Sequence, residues 1–296
     1  MKAALLPDRG VVKVAGEGAR NFLHGLVTTD TLTLAPDTAR FTALLTPQGK
    51  IIADFLMTEA AAAGGGGFFL DVPRALTATL VERFNLYKLR AKVMIEDLSE
   101  TLGVLAAWDG RGTTKYGLVY ADPRLPGLGL RAMLPPHLVS AAAVELGATL
   151  VDANDYEAHR IALGMPRGGA DFRYGDAFPH EADLDQFGGV DFAKGCYVGQ
   201  EVVSRMEHRG IARTRAVPVR YDGTAPRAGA AINAGAHQVG TMGSAAAGRG
   251  IALLRLDRVA DALSRREALA ADGVVLRIIK PDWARFAFPG ENKAAE

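Results

Sequence analysis

Cysteine is almost missing: position 196 holds the only one among 296 residues. A single thiol excludes an intrachain disulfide framework and fits a reducing compartment. It also excludes a self-contained iron–sulfur cluster, which takes several thiolate ligands. Net charge is almost missing too. Lys and Arg total 34 against 33 Asp and Glu, so no overall field draws the chain to nucleic acid or to a membrane surface. No apolar run approaches the length that spans a bilayer, and the opening one in residues 1–9 is too short for a signal peptide. No histidine pair has the H-x-x-x-H or H-E-x-x-H spacing of a zinc site, so His159, His180, His208 and His237 read as surface or hydrogen-bonded side chains. The glycine run at 60–67 is not a dinucleotide fingerprint, because the G-x-G-x-x-G spacing after a strand is absent. These absences set four expectations: a cytoplasmic location, no permanently bound metal, no direct nucleic-acid contact and no membrane partner.

What is present organises well. A hydrophobic fraction of 49% suits a soluble chain that buries its core without staples, and the length suits two domains with room for a small third. Residues 10–14 read as a strand, and 18–26 as a helix around Phe22, Leu23 and Leu26. Residues 41–45 and 51–58 read as a hairpin about Pro47-Gln48-Gly49, with 68–72 as the next strand. The glycine run at 60–67 reads as a flexible hairpin loop. Pro73 opens a helix with Leu76, Leu80, Phe84 and Tyr87 on its apolar face. Strands at 93–95, 102–108 and 129–134 and a helix at 135–146, ended by Gly147, repeat that pattern beyond about residue 100. The repetition suggests two related α+β subdomains.

Asn154 with Glu157 reads as a capping box. Residues 165–198 are rich in Gly, Asp, Phe and Pro without helical period, the texture of a functional loop. After 211, short strands at 217–221, 230–233, 239–242, 251–256 and 274–279 suggest a small antiparallel barrel. The expected organisation is a module over 1–212, a barrel over 213–290 and a solvated tail over 291–296.

The chemistry concentrates in Lys194-Gly195-Cys196-Tyr197-Val198-Gly199-Gln200-Glu201. A thiol acts as nucleophile or ligand only as thiolate, and a nearby cation or a helix N-terminus lowers its pKa. Lys194 stands two positions before Cys196 and offers that cation. Gly199-Gln200-Glu201 reads as a helix start with acid in its first turn. Three roles stay open for Cys196: an iron–sulfur ligand shared with a partner, a second copy or small thiols; a nucleophile with His180 or His208 as base; or a packed small hydrophobe. Arg205, His208, Arg209, Arg213 and Arg215 crowd one short stretch, either a phosphate site or a solvated turn.

The octapeptide K-G-C-Y-x-G-Q-E resembles the signature of the YgfZ family, which is similar to the T-protein (aminomethyltransferase) of the glycine cleavage system. R-x-x-x-G-x-P from Arg160 to Pro166, P-x-E-x-x-L-D from Pro179 to Asp185, and G-G-V-x-F from Gly188 to Phe192 extend the match. Val14 to Leu23, Thr29-Asp30 and Thr46-Pro47-Gln48-Gly49-Lys50 resemble its N-terminal segments. The resemblance implies an α+β fold of two subdomains and a C-terminal antiparallel β-barrel, arranged round a central cavity.

It implies a folate-binding accessory factor in assembly or repair of 4Fe–4S clusters, supporting tRNA modification indirectly. Its ligand would be tetrahydrofolate or a derivative. Its partners would be iron–sulfur assembly proteins or cluster-dependent enzymes. Cys196 and Lys194 become the candidate reactive pair, with the thiol open to solvent and facing the cavity. Tyr156, Asp54, Phe178, Tyr197, Gln200, Glu201 and Arg205 become candidate folate contacts, Tyr156 being equally a core residue. Asp54 stands where the T-protein carries paired aspartates, reduced here to Ala53-Asp54. Ala162 stands where a glutamate grips the pterin ring. A carboxylate reads the guanidine-like pterin edge by paired hydrogen bonds, so its loss weakens that recognition. A tetrahydrofolate-dependent aminomethyltransferase is therefore the alternative, with a folate-sensing module as a third reading, and a non-catalytic role is the expectation.

Overall fold

The computed structural model describes residues 1–36, 38–61, 66–210 and 212–290. Half of the expected glycine-rich loop at 60–67, residues 62–65, and the whole tail at 291–296 lie outside these. The chain divides into two compact units: residues 1–156 with 187–202, and residues 157–186 with 203–296.

In chain order the elements are β1 (Lys2–Leu6), β2 (Arg9–Ala15), α1 (Ala19–His24), β3 (Ala39–Leu45), β4 (Ile51–Glu59), β5 (Phe68–Pro73), α2 (Thr77–Lys88), β6 (Met94–Asp97), β7 (Gly103–Trp108), β8 (Leu118–Ala121), β9 (Leu130–Leu134), α3 (Val139–Glu145) and β10 (Thr149–Leu150). There follow α4 (Ala153–Ala162), α5 (Gln200–Arg209), β11 (Thr214–Tyr221), β12 (Ala231–Ala234), β13 (His237–Ala246), β14 (Arg249–Arg255), α6 (Leu256–Ser264), β15 (Leu269–Ala271) and β16 (Val274–Ile278).

The first unit holds two five-stranded sheets, ordered β3-β4-β5-β2-β6 and β10-β1-β7-β9-β8. Strand alternation assigns their faces. Phe68, Leu70 and Val72 of β5 pack with Val12, Leu23, Leu80 and Phe84, burying one face of the first sheet on α1 and α2. Leu105, Ala107, Leu130, Ala132 and Leu134 pack with Val139, Ala142 and Leu146 of the α3 segment. The residues between them point the other way, and there charge is buried. Asp71 of β5 is fully buried and accepts Arg9 Nε at 2.5 Å, Arg131 Nη1 at 2.6 Å and the Tyr120 hydroxyl at 3.2 Å. Arg131 also donates to Asp122 at 3.1 Å and to the Tyr156 hydroxyl at 3.0 Å. Arg124 closes on Asp122 with two bonds, at 2.9 and 2.6 Å.

The second unit holds a closed barrel, β11-β14-β13-β12-β15-β16. Val217, Val219, Ile232, Met242, Leu254, Leu269 and Leu276 fill it, joined by Val259 and Ala262 of α6. Residues 157–186 belong to this unit because charge ties them to it. Arg160 donates to Asp171 at 2.9 Å and to Ser244 Oγ of β13 at 2.7 Å, and the Ser244 N–H donates to Asp171 at 2.7 Å. Arg215 of β11 donates to both Asp185 oxygens at 2.6 and 2.9 Å.

Two α+β layers and a C-terminal antiparallel barrel are therefore present as expected. Four details differ. The chain begins in the second sheet: β1 pairs antiparallel with β7 and parallel with β10, so the division near residue 100 holds only from β2 onward. The compact units do not follow the chain in order, since residues 157–186 join the barrel's unit through the tethers just described. Asn154 lies inside α4, and its N–H donates to Asp152 Oδ1 at 2.8 Å, so Asp152 supplies the cap. Glu157 instead accepts Arg160 at 2.6 Å and Arg167 at 3.2 Å. Finally, the strand at 251–256 passes at once into α6.

Burial alone would raise the Asp71 carboxyl, but the Arg9 and Arg131 guanidiniums beside it outweigh burial and hold it below the usual carboxylate range. The folded state thus holds this proton less tightly than the unfolded chain. Its contribution is present above the free carboxylate pKa of about 4 and is lost as pH falls further. We expect Asp71→Asn to cost about 3–5 kcal/mol by urea unfolding at pH 7, because two buried guanidiniums lose their counter-charge. We also expect the wild-type advantage over the variant to shrink on acidification below pH ~4. An advantage independent of pH would show that the carboxylate charge is not what stabilises the sheets.

Candidate functional site

The irregular segment returns to the first unit at its C-terminal part. The Asp191 N–H donates to Thr28 O at 2.9 Å, and Thr28 Oγ1 donates to Gly189 O at 2.6 Å. Asp191 Oδ1 then turns the chain by accepting the N–H groups of Ala193 at 2.9 Å and Lys194 at 3.1 Å. Beyond the thiol, Gly199 adopts φ +84°, and a Cβ there would stand 2.5 Å from Thr46 O. Only glycine allows this approach to the turn at 46–50. On the same turn Gly49, at φ +79°, lies where a Cβ would come 3.0 Å from Val202. Two segments recognised separately in the sequence are thus in direct contact.

Lys194 is buried, and its ammonium donates to His24 O at 2.7 Å, Val27 O at 2.6 Å and Thr29 O at 3.1 Å. An ammonium has three N–H donors, and all three are used. Burial pushes this group down to about 8, against the pull of Asp30 and Asp191. Its Nζ also stands 5.1 Å from the Tyr197 ring centroid. Tyr197 is buried in turn, and burial, with Asp191 adding to it, pushes its hydroxyl up to about 12. The lysine expected to prime the thiol is therefore spent on pinning the thiol loop to the chain that follows α1. The segment 194–197 alternates accordingly: Lys194 and Tyr197 point inward, while Gly195 and Cys196 are exposed. α5 begins at Gln200 with Glu201 in its first turn, as expected, and Gln200 is half-buried and Glu201 exposed.

A residue that sequence reasoning passed over lies beside the thiol. A Cβ on Gly195 would stand 3.9 Å from His24 Nε2. His24 Nδ1 lies 3.1 Å from Asp30 Oδ1, in ion-pair range but off the hydrogen-bond angle. No local signal marks His24, because its carbonyl meets Lys194 across 170 positions.

The other expected contacts divide. Tyr156 is buried, edge-on to Trp108 at 5.4 Å between ring centroids, with its hydroxyl on Arg131, so it is a core residue rather than an open stacking face. Asp54 is buried on β4 opposite Ala43. Phe178, half-buried, and Arg205, exposed, belong to the second unit. So do His180 and His208, the expected bases for a nucleophilic cysteine. His180, Asp185 and Glu207 form a group with metal-ligand atoms within 4.8 Å of one another. Its members already have partners: His180 Nε2 lies 3.0 Å from Glu207 Oε2, and Arg215 holds both Asp185 oxygens. Among the described residues no helix is long and apolar enough to cross a membrane.

Two α+β layers, a closed barrel and a thiol held out on a pinned loop define an aminomethyltransferase-like fold with a barrel domain. The glycine cleavage system aminomethyltransferase T from Bartonella henselae superposes with a TM-score of 0.75, covering 97% of this chain and 87% of that chain at 15% identity, which establishes the fold alone. Residues 213–286 match the family model of the CAF17 C-terminal beta-barrel domain. The human mitochondrial iron–sulfur cluster assembly factor IBA57 is 30% identical over 94% of this chain and 84% of its own length. The chain belongs to the IBA57 family. The homolog of Mycosarcoma maydis is 36% identical over 77% of this chain, and that match spans 59% of the relative's own length. These relatives are named as mitochondrial, which overturns the cytoplasmic expectation. A lone thiol reports a reducing environment and does not say which compartment provides it.

Replacing Lys194 by Met keeps the stem and removes the donors of three carbonyls. We expect a loss of about 1–3 kcal/mol in urea unfolding, the cost of leaving buried acceptors unmet. Unchanged stability would remove the lysine from the loop's support.

Proposed function

We propose that this chain serves iron–sulfur cluster assembly by presenting Cys196 as its thiolate donor to a 4Fe–4S cluster, or to iron on the way to one, with a partner supplying the remaining ligands. The cluster is cargo here. The observation that carries the proposal is the exposure of Cys196 on a loop fixed on both sides, by the Lys194 ammonium before it and the close approach of Gly199 after it. One thiol cannot complete a cluster, so the partner is an iron–sulfur assembly protein or a cluster-dependent enzyme. Effects on tRNA modification follow indirectly, through enzymes that need such clusters.

Tetrahydrofolate or a derivative is the second component of the proposal. The resemblance of the segment from Lys194 to Glu201 to the YgfZ family signature supports it. Asp54, Tyr197, Gln200, Glu201, Phe178 and Arg205 remain its candidate contacts, and Tyr156 contributes as packing. Aminomethyl transfer is not assigned, since by the resemblance Ala53 stands where the T-protein carries the first of paired aspartates and Ala162 where a glutamate grips the pterin ring.

In cells lacking the protein, restoring it as Cys196→Ala should lower the activity of 4Fe–4S enzymes several-fold against wild type. Thermal unfolding should stay unchanged, because the side chain is exposed. Full enzyme activity would overturn the assembly role. With tetrahydrofolate and an aminomethylated lipoyl carrier, the purified chain should form no methylene-tetrahydrofolate. Its appearance would establish the transferase reading instead.

A further inference from the structure

The segment from Pro179 to Asp185 places a carboxyl where water does not reach it. Asp183 is fully buried, and its backbone turns at φ +57°, a left-handed conformation that aspartate tolerates better than most side chains. One oxygen, Oδ1, accepts Arg215 Nη1 of β11 at 3.1 Å. The other, Oδ2, is buried and has no hydrogen-bond partner among the described residues. Arg215 is engaged elsewhere. It closes on Asp185 with two bonds, at 2.6 and 2.9 Å, and its Nη1 also donates to His180 O at 2.9 Å. The Phe286 ring covers it, 4.5 Å from its guanidinium carbon to the ring centroid. Gln186 donates to Asp185 Oδ2 at 2.5 Å as well, so Asp185 is a saturated member of an ion pair rather than a metal ligand. The ring of His180 turns to another element, facing Glu207 of α5 at 3.0 Å.

Two carboxyls thus share one guanidinium in a site closed to solvent. Two anions against one cation leave a net negative charge that water does not screen, and one carboxyl of such a pair keeps its proton. The geometry says which one. Asp185 holds both ends of the guanidinium fork, while Asp183 has a single, longer contact. Burial first, with Asp185 adding to it, pushes the Asp183 carboxyl well above its ordinary value, against the pull of Arg215 and the Ala216 N–H. A neutral hydroxyl left without a partner costs less there than an unpaired ion.

We propose that Asp183 is a neutral acid at pH 7, and that its proton is the pin of a pH-operated latch between residues 179–185 and β11. The latch goes beyond cluster assembly, and Cys196 takes no part in it. Its other fastenings are Arg215 on His180 O and the Ala216 N–H, which donates to Glu181 O at 3.0 Å. The folded state holds the Asp183 proton more tightly than the unfolded chain does. The contribution of the latch is therefore complete below the free carboxylate value of about 4, and it is lost as pH rises through the raised value of Asp183. On that rise the O–H bond breaks, the proton leaves to solvent, and a second buried anion is left to compete with Asp185 for Arg215.

The test pairs infrared difference spectroscopy with urea unfolding of the purified full chain. At pH 7, wild type minus Asp183→Asn should show the carbonyl band of a protonated carboxylic acid. Asp185→Asn leaves Arg215 to Asp183 alone, so Asp183 ionises and the band should vanish. Asp183→Asn keeps the shape of the protonated acid and cannot titrate. Above pH ~5 the unfolding constant of wild type should therefore rise about tenfold per pH unit relative to that of Asp183→Asn, until the raised value is passed. If Asp183→Asn does not fold, the acid band of wild type and its loss in Asp185→Asn answer the same question. No acid band at pH 7, a band that persists in Asp185→Asn, or a stability ratio independent of pH would each overturn the latch.

Discussion

The carboxylate of Asp71 fixes how the first unit is put together. It projects from β5 on the face away from the helices, with no solvent to reach, and an unpaired ion there costs several kcal/mol. Arg9 meets it from the same sheet, and Arg131 and Tyr120 from the other. Arg131 then carries the constraint onward to Asp122 and to the Tyr156 hydroxyl at the start of α4. These bonds are directional, so they specify register as well as proximity. A slip of β9 by one residue would turn Arg131 toward α3 and leave Ala132 facing Asp71. Apolar packing alone would tolerate more than one pairing of two sheets this rich in Ala, Val and Leu, and the charged set does not.

Lys194 applies the same physics to the thiol loop. A buried ammonium is met here by three backbone carbonyls rather than by a carboxylate. Carbonyls belong to the chain itself, so the contact fastens one stretch of backbone, 24–29, to another. The long irregular segment is thereby fixed near its end. The Asp191 turn, the ammonium and the Gly199 contact act within a few residues of each other, and Cys196 projects from between them. A thiol on such a loop is exposed while the backbone on either side of it is held by contacts.

The legibility of these features in the sequence follows the range of the forces that make them. Most strands and the barrel show in local alternation and glycine punctuation, and the helix α2 in its Leu80 and Phe84 spacing. β1 does not, because Ala3-Ala4-Leu5-Leu6 is a short apolar run without alternation, as befits a strand flanked on both sides in its sheet. α6 is hidden by the apolar residues of β14, which run straight into it. The capping box at Asn154 fails because Asp152, two residues earlier, offers the same chemistry one turn position better. The thiol loop is legible because its signature is contiguous. The partners of Lys194 are not, since backbone carbonyls carry no sequence identity, and neither is His24. Tyr156 illustrates the converse: an aromatic residue at a family-matched position belongs to the core because Arg131 and Trp108 converge on it from elements distant in sequence.

These placements bear on which kind of chemistry the thiol is suited to. A cysteine nucleophile needs a base or a cation directed at its own sulfur. The nearest ammonium in sequence is directed at carbonyls instead. A cysteine that serves as a ligand needs no such help, because the metal itself draws off the proton. What it needs is exposure and a fixed position from which a partner's metal can be reached. Lys194, Asp191 and Gly199 supply that position. The fold is aminomethyltransferase-like, and its pinned loop holds out the chain's single thiol.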